Sequence, residues 1–446
     1  MAPDLYDRLS AEIDKIRLVD THEHLEPEPD RLAKKVDFFR WFLHYASADL
    51  VSSGMSLPDL ETIRNPDKPL DERWSLFAPH WENMKNTSYA RALLITARDL
   101  FGVDQINRKT AAQLSEQLAA ANKPGFYRWV LQEKAGIDCC IWDGLAKISN
   151  EAVEVPEGVD RNFFVPVMRF EHYILVRNRL ALAKIEAESN RAIHSLDDLL
   201  SAADDRMERA LKAGAVGIKI GLAYLRSLKF DKTTHADAER VFNRIFTFPD
   251  PRPDWQDWQI LSGPAGDEAK PLQDFILHHV MRRADQKGLP VQIHTGLQEG
   301  NGNLITNSDP TLLVNLFFEY RNVKFDIFHG SYPYCSELAT LAKNFPNVYV
   351  DMCWLHVLSP AVSRRALNEW IETVPANKIF AFGGDYVFVE GVYGHSRMAR
   401  ENVARILAHK IQEGYLSEDD ALSLAQKMLH DNPYELYRLA DRPKQP

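Results

Sequence analysis

The chain has 446 residues, 45% of them hydrophobic and 26% charged, the ordinary balance of a folded globular protein. Its formal net charge of −10, with no run of Lys or Arg, argues against a nucleic-acid partner. No apolar run reaches membrane-spanning length and the N-terminus lacks a basic-then-apolar leader. The four cysteines, Cys139, Cys140, Cys335 and Cys353, show no C-x-x-C spacing, so reduced, mostly buried thiols in a cytoplasmic protein without a membrane partner are expected.

Residues 5–16 carry apolar side chains at helical spacing, which predicts a capping helix. A strand-like run from Ile16 to Val19 follows and leads into Asp20-Thr21-His22-Glu23-His24. Residues 27–133 read as helical, with an aromatic-rich stretch around Phe38, Phe39, Trp41, Phe42 and Tyr45, and helices over 89–101 and 111–121. This block reads as a large helical insertion after strand one, placed to cover the mouth of a barrel, its aromatics packing helix on helix. Strands then alternate with helices. Strands two to eight are expected at 136–143, 163–170, 215–220, 290–294, 323–329, 348–354 and 379–385. Helices are expected at 195–213 (with Ser195 as N-cap), 271–287, 310–320, 334–345, 361–374 and from His395 onward. Residues 229–270, rich in Pro, Asp and Trp, read as a long active-site loop or partial lid.

Eight short, nearly continuous apolar strands alternating with helices predict an α/β fold, a (β/α)8 TIM barrel formed by residues 1–446 as one domain. The ends of these strands carry metal-ligand residue types. His22 and His24 lie two apart on a strand, so both imidazoles face one point. Lys219, His294, His329 and Asp385 fall at or near the ends of strands four, five, six and eight, on the catalytic face of such barrels. Other histidines, among them His44, His80, His278 and His279, have no such placement. Arg169, Tyr224, Arg226, Tyr332, Trp354 and Arg397 follow strand ends and suit a polar pocket for a carboxylate.

The set His22-x-His24, His294, His329 and Asp385, in strand order, resembles the amidohydrolase superfamily. Gln292-Ile293-His294-Thr295-Gly296, His329-Gly330-Ser331-Tyr332-Pro333-Tyr334 and Asn347-Val348-Tyr349-Val350-Asp351 are similar to amidohydrolase domains fused to glutamine-synthetase-like proteins. The helical insertion, with Trp81 and residues 89–102, is similar to uronate isomerases of the same superfamily. The resemblance implies one or two divalent ions, most commonly zinc, held by His22, His24, His294 and Asp385. Asp385 would carry the proton of an activated water. His329 would be a ligand of a second ion or would polarise a substrate oxygen. Lys219 would be carboxylated and bridging, or would meet a substrate carboxylate as a cation. The expected activity is hydrolysis of a C–N or C–O bond in a small carboxylate-bearing molecule. The alternatives are a uronate isomerase and a non-oxidative aromatic acid decarboxylase. A homo-oligomer is expected.

Overall fold

The structure, a computed structural model, describes residues 4–144, 147–148, 153–154, 156–248 and 263–442. Among the described residues nine short parallel strands make the frame: β1 (Leu18–Glu23), β2 (Ile137–Trp142), β3 (Phe164–Pro166), β4 (Met168–Arg169), β5 (Ile218–Ile220), β6 (Pro290–Ile293), β7 (Lys324–Ile327), β8 (Val348–Asp351) and β9 (Ile379–Phe380). They pair in the order β1-β2-β3 and β4-β5-β6-β7-β8-β9. The third expected strand is thus split. Pro166 has no N–H to donate, so β3 serves β2 while β4 serves β5. Val167 bridges the break, its N–H donating to the Trp142 carbonyl at 3.1 Å.

The ring continues across the β9–β1 seam through irregular bonds. Thr21 N–H donates to Phe382 O at 3.3 Å, Asp385 N–H to His22 O at 2.8 Å, and His24 N–H to Tyr386 O at 3.1 Å. This is the α/β barrel that the alternation predicts. Register sets Arg169 beside Lys219, Lys219 beside Gln292, and Gln292 beside Asp326. Its interior is more polar than the apolar runs suggest. Asp20, Glu23, Gln292, Asp326 and Asp351 are all buried, and burial pushes Asp20 up to about 6 and Asp326 up to about 7.

Between β1 and β2 lie helices including Ala46–Ser52, Leu57–Arg64, Leu70–Met84, Ser88–Phe101 and Arg108–Ala121. Phe38, Phe42, Phe77 and Trp81 pack ring on ring at centroid distances of 4.7–6.3 Å and join one apolar core with the barrel helices. Ser195 caps the helix Leu196–Lys212 in a reciprocal box with Asp198, as expected. Two elements differ from expectation. Within 229–270, His235–Arg244 is a helix, capped by Thr234 and burying Ala238, Val241 and Phe242; residues 249–262, where the rest of the expected lid falls, lie outside the described residues. The C-terminal helix starts earlier, at Val389, because Gly394 lets it cross Ser88–Phe101 closely. A Cβ there would meet Ala92 O at 2.1 Å. All four cysteines are buried and unpaired. Among the described residues no helix is long and apolar enough to cross a membrane.

Candidate metal centre

The C-terminal ends of β1, β6, β7 and β9 converge. His22 lies in β1 with His24 just beyond it, His294 follows β6, His329 follows β7, and Asp385 follows β9. The Nε2 atoms of His22 and His24 are 3.2 Å apart, and Asp385 Oδ1 is 3.1 Å from His24 Nε2 and 3.7 Å from His22 Nε2. His329 Nε2 lies 2.8 Å from His294 Nδ1 and 3.9 Å from Asp385 Oδ2. His22, His24 and Asp143 hold donor atoms within 4.8 Å of one another, and so do His329, Cys353 and Asp385.

Each of the four rings has its other nitrogen tied to an acceptor. His22 Nδ1 meets Gln292 Oε1 at 3.1 Å, His24 Nδ1 meets Asp143 O at 3.1 Å, His294 Nε2 meets Leu297 O at 3.0 Å, and His329 Nδ1 meets Cys353 O at 3.0 Å. An acceptor demands the ring proton at that nitrogen, so in a neutral ring the inward nitrogen is a bare lone pair. Burial, with Lys219 and His24 adding to it, holds His22 well below its usual range. Burial and His329 do the same to His294, and burial brings His329 to about 4. Bare nitrogens facing each other at 3.2 and 2.8 Å repel unless a cation shares them. Imidazole nitrogens beside a carboxylate are the donor set a divalent ion takes. The residues present therefore fit a divalent metal.

Asp385 supplies the charge. Burial alone would raise its carboxyl, but positive charge on the rings around it, His24 before His329 and His22, holds it well below the usual range, a charge that a cation takes over where the rings are neutral. Its backbone is at φ +58° and His329 at +64°, so two non-glycine residues of this centre, with Trp354 behind it at +62°, share the left-handed region. Gly384, just before Asp385, leaves room for Glu23: a Cβ there would lie 1.7 Å from Glu23 Oε1.

A cavity of about 240 Å³ opens onto the centre and is lined by His24, His294, Asp385, Lys219, Arg169 and Tyr224. Lys219 is buried with its ammonium 3.8 Å from the centre of the Phe328 ring, and burial lowers its pKa. Arg169 forks onto Asp143 at 2.8 and 2.9 Å while its side chain stays 40% exposed to the cavity side. The Tyr224 hydroxyl accepts from Glu299 N–H at 3.1 Å, and its ring lies 4.7 Å from that of His294.

The remaining expected residues fall elsewhere. Trp354 stacks on Tyr45 at 4.5 Å and lies 5.1 Å from the His329 ring, behind the centre. The Tyr332 side chain packs half-buried on the core, and its carbonyl accepts from Leu297 N–H at 2.7 Å. Arg226 is away from the cavity, ion-paired with Asp274 at 2.7 Å because that buried carboxylate needs a cation. Arg397 pairs with Asp14 at 2.9 Å, at the end of the N-terminal helix, and does not reach the site.

Two residues join that sequence reasoning passed over. Asp143 directly follows β2 as Asp385 follows β9, and this placement was the available signal. His44 comes from the insertion and had no local signal; it lines the cavity, stacks on Tyr45 at 3.8 Å, and burial drops it to about 3. Glu299 also lines the cavity. The Tyr45 hydroxyl donates to Asp385 O, so the insertion covers the site of its own chain.

A family model described as amidohydrolase matches residues 176–439. Protein fluG of Emericella nidulans is 30% identical over 240 residues, which make up 51% of this chain but only 26% of that protein. A uronate isomerase of Phenylobacterium zucineum is 23% identical over 485 aligned positions, covering 99% of this chain and 95% of that one. The crystal structure of a glucuronate isomerase from Caulobacter crescentus superposes with a TM-score of 0.75 at 19% identity, covering 99% and 96% of the two chains, a likeness of fold.

Proposed function

This chain belongs to the amidohydrolase family, and from that premise we propose that it is a metal-dependent hydrolase cleaving a C–N or C–O bond in a small carboxylate-bearing molecule. One observation carries the reading: four imidazoles, each tied outward to an acceptor, turn bare nitrogens inward, three of them beside the buried Asp385 carboxyl and that of His294 against His329. A divalent ion held by His22, His24, His294, His329 and Asp385 would polarise a carbonyl and bring the pKa of water toward ~7. Asp385 accepts the proton of the attacking water and returns it to the leaving group. Arg169 and Lys219 place two cations along the cavity, which suits a substrate carboxylate; Tyr224 and His44 offer hydrogen bonds on its other sides. The cavity's size suits a small molecule, and the Tyr45 contact to Asp385 shields the centre from bulk water.

A second reading has its own support. The likeness to the uronate isomerase of Phenylobacterium zucineum runs the length of both chains, which favours isomerisation of a uronic acid. In that case Asp385 or His44 would move a proton between neighbouring carbons. The mass change of a panel of uronic acids, aldonolactones, N-acyl and γ-glutamyl amino acids and hydroxybenzoates separates these. Gain of one water supports hydrolysis and names the bond. A uronate consumed at constant mass with a new retention time makes the protein an isomerase, and loss of carbon dioxide makes it a decarboxylase.

A further inference from the structure

Three of the four inward-facing imidazoles are held from behind by backbone carbonyls; His22 alone is held by a side chain, Gln292. Gln292 is fully buried in β6, its amide inside the barrel. Its Nε2 lies 2.9 Å from the Thr21 carbonyl and 2.8 Å from the Tyr437 hydroxyl. A carbonyl oxygen only accepts, so the group facing Thr21 must be the NH2 of the amide. Oε1 must then face His22 Nδ1, and an amide oxygen also only accepts. His22 therefore carries its proton on Nδ1 and presents a bare Nε2 to His24 and Asp385. The Tyr437 hydroxyl, accepting from Gln292, turns its own proton to Asp326 and closes the chain at the barrel floor.

We propose that Gln292 is a positioning residue that locks His22 in its metal-binding tautomer, with the Thr21 carbonyl setting the polarity of the lock. The proposal rests on the metal-centre reading above, and two measurements keep the two apart. Long-range 1H–15N spectra of the metal-free protein, with His22 assigned by substitution, report which ring nitrogen bears the proton. The expected result is a protonated Nδ1 in the unmodified protein and loss of that preference in Gln292→Leu. Titration with Zn2+ or Co2+ should then show affinity about 10–100-fold weaker for Gln292→Leu. A proton on His22 Nε2 in the unmodified protein overturns the proposal, and this reading stands even where Gln292→Leu does not fold. Unchanged tautomer and affinity in a folded Gln292→Leu overturn it as well. Failure of the unmodified protein to bind either ion instead overturns the metal-centre reading, while the spectrum still decides the tautomer.

Discussion

At Asp385, burial and the positive charge of the groups around it act on one carboxyl in opposite directions, and the charge wins. Asp385→Asn preserves shape but cannot accept a proton, so turnover should fall ~10²–10⁴-fold with an unchanged circular-dichroism spectrum; retained turnover removes Asp385 from the proton pathway. His356 tests the same balance away from the cavity. It is buried, bound to Ala381 O at 2.9 Å and to the Asn402 amide at 3.1 Å, and burial lowers it to about 4. Its folded pKa lies below its unfolded value of about 6.5, so between these values the unfolded chain binds the extra proton. His356 therefore costs stability as pH falls from about 6.5 toward 4, and only the slope isolates it from buried acids such as Asp326, whose raised pKa acts in the opposite sense. From pH 7 to pH 5 the protein should lose about 2 kcal/mol more than the His356→Gln variant, read from urea titrations.

At the level of elements, the insertion is fastened to the long C-terminal helix by a buried pair, Arg31 and Glu390. Arg31 also donates to Asn122 Oδ1 at 2.6 Å and lies 4.7 Å from the centre of the Phe126 ring. Arg31→Met leaves the Glu390 carboxylate buried without a cation and should cost about 3–5 kcal/mol, visible as a lowered Tm. A drop no larger than for an exposed arginine would show that the pair is not what joins these elements. Elements with strong local signals were legible: the Ser195 N-cap forms as read, and Asp198 closes it into a reciprocal box, both hydrogen bonds spanning three residues. The helix His235–Arg244 was obscured by its Pro- and Trp-rich surroundings, although Thr234 and the spacing of Ala238, Val241 and Phe242 carried its signal. Gly391 and Gly394 masked the start of the last helix, because glycines that read as breakers there make room instead, Gly394 for the crossing helix and Gly391 for the Tyr386 ring.

For the molecule as a whole, a barrel whose ends bring imidazoles from β1, β6 and β7 together with a carboxylate after β9 should gain stability when an ion joins them. At free metal about 100 times Kd the gain is about 2.7 kcal/mol, and chelation should remove both the Tm increase and the turnover; a Tm indifferent to metal would separate the centre from the fold's stability. The sequence by itself determined where the strands fall, though not the break of the third after Pro166, and the placing of His22, His24, His294, His329 and Asp385 at or beyond their ends. Both are local properties: short apolar runs that end in a ligand-type residue. Only the tertiary structure decided which way each ring faces, that His44 and Asp143 join the site, and that Arg226 and Arg397 do not. Those outcomes rest on partners distant in sequence, such as His22 with Gln292, 270 positions apart, and Tyr45 with Asp385, 340 apart. No local pattern encodes a hydrogen bond that exists only once the barrel has brought its strands together.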